Sequence, residues 1–88
     1  MAQETIELDV DGTVVRAPRE LVDRLAAGAA ARAGVSARHR DLSLSLARGL
    51  ESGQASLGQG EVRALCAVLE EELDRLGPAG AELLRAIE

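Results

Sequence analysis

The chain has 88 residues, a net charge of −5 and no Phe, Tyr or Trp. That length suits one small domain with a modest core, and without aromatics the core must be built from Leu, Val and Ala. An acidic total argues against a general nucleic-acid binder, which carries a basic footprint.

All ten basic residues are Arg, and Lys and Asn are absent. Phe, Tyr, Lys and Asn share AT-rich codons, so their joint absence points to a GC-rich bacterial genome and not to a function. The charge is uneven: −3 over residues 1–16, +2 over 17–53 and −4 over 54–88. A single Cys cannot form an internal disulfide, which fits a reducing cytoplasm. The N-terminus lacks a basic segment followed by an apolar run, so no signal peptide is expected. No stretch approaches the roughly 20 apolar residues needed to span a bilayer.

"TIELDVDGTVVRA" predicts a β-hairpin over 5–16. Asp11-Gly12 is a strong hairpin signal, because a type I′ turn needs positive φ at both central residues. A two-residue loop then pairs Val10 with Thr13, Leu8 with Val15 and Ile6 with Ala17 on one largely apolar face. Glu7 with Arg16, and Asp9 with Val14, fall on the solvent face. A lone hairpin is marginal in water, so its apolar face must lie on the helices or on a second hairpin.

Pro18 suits a first helical position, and Leu21, Val22, Leu25, Ala26 and Ala29 make a helical stripe over 18–33, with Gly34 as the expected C′ residue. The next segment, "DLSLSLARGL", alternates Leu as a strand would. Ser36 can cap a helix before it, however, and helical spacing aligns Leu42, Leu46 and Leu50 with Gly49 on one side. The reading is a helix over 37–52 closed by Gly53. It leaves Leu44 opposite the core, between Arg40 and Arg48 and near Glu51, and these four residues are the candidate interaction surface.

"SGQASLGQGE" reads as an interhelix loop, with Gly58 as cap, Glu61 at N3 and Leu57 stapled to Val62. A helix over 59–76 follows, with Val62, Leu65, Cys66, Leu69, Leu73 and Leu76 down one face and Cys66 expected to be a buried thiol. Glu71 and Arg75 stand at a favourable i, i+4 spacing. Gly77-Pro78 ends this helix, and a last one runs over 79–87. The fold class expected is α-rich α+β: an N-terminal β-hairpin followed by three to four short helices.

Few residues carry candidate chemistry. "GQASLG" has the glycine spacing of a phosphate-binding P-loop, but Gln59 and Gly60 stand where Lys and Ser/Thr are required. His39 is the only histidine and cannot build a zinc site, Cys66 being distant in sequence. No nucleophile motif is present. The expectation is a protein with no catalytic, metal or cofactor site: a non-catalytic interaction module that self-associates, acting as a small bacterial adaptor, regulator or accessory subunit.

"AAARAGVSARHRDLSL" carries the alternative. Ala30, Gly34, Val35 and Ser36 match the turn of the helix-turn-helix motif of bacterial repressors, which this segment resembles over about a fifth of the chain. The resemblance implies a DNA-binding regulator or antitoxin using residues 29–48. Arg38, His39 and Arg40 would then be anion contacts at a helix N-terminus. The motif also wants apolar residues six and nine positions after the glycine, where this chain has Arg40 and Ser43.

Overall fold

A computed structural model of the chain describes residues 4–87. The hairpin forms in the expected register: β1 (Thr5–Val10) and β2 (Thr13–Pro18) pair antiparallel, with Leu8 opposite Val15 and Glu7 opposite Arg16. Asp11 and Gly12 both have positive φ, 51° and 88°, as a type I′ turn requires. The Asp9 carboxylate accepts the Gly12 N–H at 3.0 Å and braces the turn.

The loop expected over 52–61 contains a strand. β3 (Gln54–Leu57) pairs parallel with the other edge of β1, giving a three-stranded sheet of order β2-β1-β3. Its first rung is the Glu7 N–H donating to the Gly53 carbonyl at 3.0 Å. Ala55 and Leu57 face inward and are buried, while Gln54 and Ser56 face solvent. The period-2 signal spans only four residues between glycines, so turn chemistry masked it; burial beside Leu8 and Val10 makes it a strand.

Helix α1 (Arg19–Ala31) covers the inner face of the sheet with Leu21, Val22, Leu25 and Ala29. It starts one residue later than expected, because Pro18 still pairs with Thr5. It also ends earlier: Arg32 and Ala33 donate to carbonyls only three residues back, Ala29 and Ala30. Gly34 is therefore not a left-handed C′ residue, and it is absent from the positive-φ positions. Helix α2 (Ala37–Ser52) has the expected bounds, with Ser36 Oγ accepting the His39 N–H at its start and Gly53 in the left-handed region at its end.

The helix expected over 59–76 breaks. Helix α3 (Gln59–Glu71) stops at Glu72, whose backbone leaves the helical region, and α4 (Leu73–Ile87) contains a kink at Gly77 with φ 67° and ψ −155°. The buried stripe of α3 is Ala64, Leu65, Val68 and Leu69. Cys66 is only half-buried, against expectation, because it falls to the side of that stripe, and Leu73 is exposed because the break turns it off the face. The bend returns Leu76 and Leu83 to the core, where α4 reaches β2 and α1. Glu71 pairs with Arg32, the residue just after α1, and not with Arg75, since the break at Glu72 removes their helical spacing.

One close approach seats α2 on the sheet. A Cβ added to Gly49 would lie 2.8 Å from Ala55 Cβ and 3.5 Å from Ile6 Cγ2. Only a glycine lets the helix touch β3 at this point.

Two substitutions test this architecture. Leu8 is fully buried on the central strand, so Leu8→Asp should cost at least about 3 kcal/mol and lower Tm by more than about 10 °C. Gly49→Ala would raise helix propensity by about 1 kcal/mol in an open helix. Here overpacking of about 1–3 kcal/mol should outweigh it, and thermal denaturation should show a lower Tm. A rise in Tm would mean that β3 yields freely.

Candidate functional site

The surface of α2 follows from its buried side. Leu42 and Leu46 are fully buried and Gly49 sits under β3, which fixes the roll of the helix. Leu44 then lies almost diametrically opposite, at 100° per residue. It is 54% exposed, an unusual state for a leucine in the middle of a 16-residue helix whose other leucines are covered.

The residues around Leu44 form a continuous exposed face. Ala37, Arg40, Leu44, Ala47 and Glu51 follow the 3-4-3-4 spacing of a helix-packing seam, and every one of them is exposed. Asp41 and Arg48 flank the seam on one side and are exposed too. Among the described residues, none of Arg40, Asp41, Arg48 or Glu51 engages its charge in an ion pair. The four residues singled out from the sequence, Arg40, Leu44, Arg48 and Glu51, thus share one face. Asp41, Ala37 and Ala47 belong to it as well. The sequence signal that could have found them is the 3-4-3-4 spacing on the side opposite Leu42 and Leu46, which a search for charged neighbours of Leu44 does not use.

The candidate anion contacts are not brought together. The stem of Arg38 lies over Gly60 at the start of α3, within ordinary contact distance of where a Cβ would stand. His39 is half-buried, and its Nδ1 lies 2.8 Å from Ser36 Oγ, while Nε2 is enclosed without a partner. Arg40 points with Leu44 to the opposite side of α2 from Arg38 by the helical spacing. The corner between α1 and α2 also departs from the helix-turn-helix pattern. Val35, expected inside the turn, is 92% exposed, and the second helix buries positions 42, 46 and 49 where the motif buries 40 and 43.

Around the start of α3, polar groups serve the fold. Glu61 accepts the Gly58 N–H at 3.3 Å through Oε1, and its Oε2 accepts from Ser45 of α2. Grooves elsewhere lack a converging reactive set. One of about 430 Å³ is lined by Glu4, Arg19, Glu20, Asp23 and Leu50, and another of about 440 Å³ runs between α1 and the α3–α4 junction. Among the described residues no group of three His, Cys, Asp or Glu side chains could hold a metal ion, and no helix is long and apolar enough to cross a membrane. No family model, curated protein or solved structure matches the chain.

Ser36 caps α2 from its first turn, so Ser36→Ala should cost about 1 kcal/mol. For a chain of this size that is a Tm loss of about 4–8 °C, read by circular dichroism. An unchanged Tm would show that the cap is replaced by water.

Proposed function

We propose that this protein is a non-catalytic protein-interaction module, a small bacterial adaptor, regulator or accessory subunit working in the cytoplasm, that self-associates through the exposed face of α2. The observation that carries the reading is Leu44: a large apolar side chain held out in solvent at the centre of a charged, heptad-spaced face. Burying it removes apolar area from water at roughly 25 cal/mol per Å², and an apolar centre with a polar rim is the usual anatomy of an interface. The all-aliphatic composition supports it too, since a chain of this size without aromatics gains stability from covering a further apolar surface.

The competing reading, a DNA-binding regulator using residues 29–48, has less support. The net charge is −5, Arg38 is spread over the start of α3, and the second helix is turned away from the pattern of the motif. Catalysis has less still, because the described residues converge on no nucleophile and base.

Sedimentation of the wild-type chain and Leu44→Glu across a micromolar range tests the reading. The wild type should gain mass with concentration and Leu44→Glu should stay monomeric with an unchanged Tm. A wild type that is monomeric throughout overturns it. Mobility shift on duplex DNA at two salt concentrations should show no retardation; a salt-sensitive shift abolished by Arg38→Ala with Arg40→Ala would install the DNA reading in its place.

A further inference from the structure

The Glu7 N–H donates to the Gly53 carbonyl, so in the parallel ladder residues 53, 55 and 57 turn their backbone groups toward β1. Gln54 and Ser56 turn theirs the other way, to the free edge of the sheet. Ser52 Oγ donates to the Gln54 carbonyl at 3.0 Å. Among the described residues, the Gln54 N–H and both backbone groups of Ser56 have no partner, and the two residues are exposed. Sheet edges are ordinarily guarded by charge, proline or a bulge. The opposite edge, β2, carries Arg16, ends in Pro18 and has α4 against it. β3 has neither charge nor proline: "SGQASLGQG", residues 52–60, is the longest run without a charge in the chain.

The side chains behind this edge give it a sign. On the outer face of the sheet Gln54 is level with Glu7, and Ser56 with Asp9. Glu7 is partnered by Arg16 at 3.6 Å. Asp9 braces the turn through the Gly12 N–H but enters no ion pair among the described residues. A strand laid beside β3 would stand about 10 Å from β1, with only the small Ser56 between it and Asp9. A groove of about 130 Å³, bordered by Glu7, Asp9, Gln54 and Ser56 among others, is open along that path. An arginine or lysine level with Ser56 lays its apolar stem over the serine and carries its charge to the Asp9 carboxylate.

We propose that the free edge of β3 accepts an extended segment of a second protein as a fourth strand, one with Arg or Lys at alternate positions and the residue level with Ser56 paired to Asp9. Main-chain hydrogen bonds to Gln54 and Ser56 supply the attachment, and the alternating side chains supply the choice of partner. The other side of that segment continues the apolar layer of Ala55 and Leu57. A net charge of −5 favours a basic partner and sets a second copy of this chain at a disadvantage. This rests on the interaction-module reading and gives it a partner of stated chemistry; the α2 face plays no part in it.

The probe is a short peptide, blocked at both ends and alternating arginine with valine, titrated into the full chain and followed by amide NMR. The Gln54 and Ser56 amides should shift and gain exchange protection. A peptide alternating glutamate with valine should bind about tenfold more weakly or less. Asp9→Asn keeps an oxygen for the Gly12 N–H and should weaken the arginine peptide about two- to fivefold. Ser56→Pro removes an outward N–H that β1 does not use, at an edge position where proline is tolerated, and should abolish binding at unchanged Tm. Should Ser56→Pro lower Tm, Ser56→Lys replaces it: the backbone stays whole, and a positive charge in the path should weaken the arginine peptide about fivefold or more. Leu44→Glu should bind as the wild type does. No binding, equal binding of the two peptides, binding that leaves the Gln54 and Ser56 amides unmoved, or binding that survives the Ser56 variants overturns the proposal. Protection of those amides that rises with protein concentration in the absence of peptide assigns the edge to a second copy and overturns it as well. Self-association through α2 is read separately, from the mass of the wild type and Leu44→Glu.

Discussion

The contact between Gly49 of α2 and Ala55 of β3 is the constraint on which the rest of the molecule turns. Among the described strands β3 pairs with β1 alone, over four residues in parallel, and α2 leads directly into it through Gly53. Pressing a glycine against the strand seats the helix at van der Waals distance from the sheet and fixes its rotation about its own axis. Leu42 and Leu46 then enter the core, and Leu44 has no direction left but outward. The exposed face of α2 is thus a consequence of how a short strand is bonded on the far side of the helix.

Around that contact the molecule is held by aliphatic packing with little polar reinforcement. Of the five ion pairs among the described residues, three lie in half-exposed to exposed positions where such pairs add little. The remaining two join Arg32 at the end of α1 to Glu71 and Glu72 at the end of α3, and Arg32 also donates to the Gly28 carbonyl at 3.0 Å. These contacts gather where α1 stops early and α3 breaks. They tie the two helix ends together at the point from which α4 turns back over β2.

The same economy extends to the polar side chains at the helix ends. His39 spends Nδ1 on the capping serine, Arg38 covers the start of α3, and Glu61 closes that helix while holding Ser45. The charges around Leu44, by contrast, enter no ion pair among the described residues.

Much of this was legible in the sequence, for identifiable reasons. The hairpin and its register follow from Asp11-Gly12 and a period of two, both local, and the bounds of α2 follow from Ser36 and Gly53. The exposure of Leu44 was legible as well, because helical spacing alone sets it against Leu42 and Leu46. Three features needed the tertiary structure. β3 is too short to declare itself and exists because β1 offers an unpaired edge and a buried face. The break at Glu72 overrides a continuous leucine pattern, because only a bent chain brings both Leu69 and Leu83 into one core. The close seat of Gly49 on Ala55 is the third, since β3 had to form before α2 could pack on it. Local sequence determines how a helix or a turn is made; which side of it meets solvent is decided by the elements that pack against it.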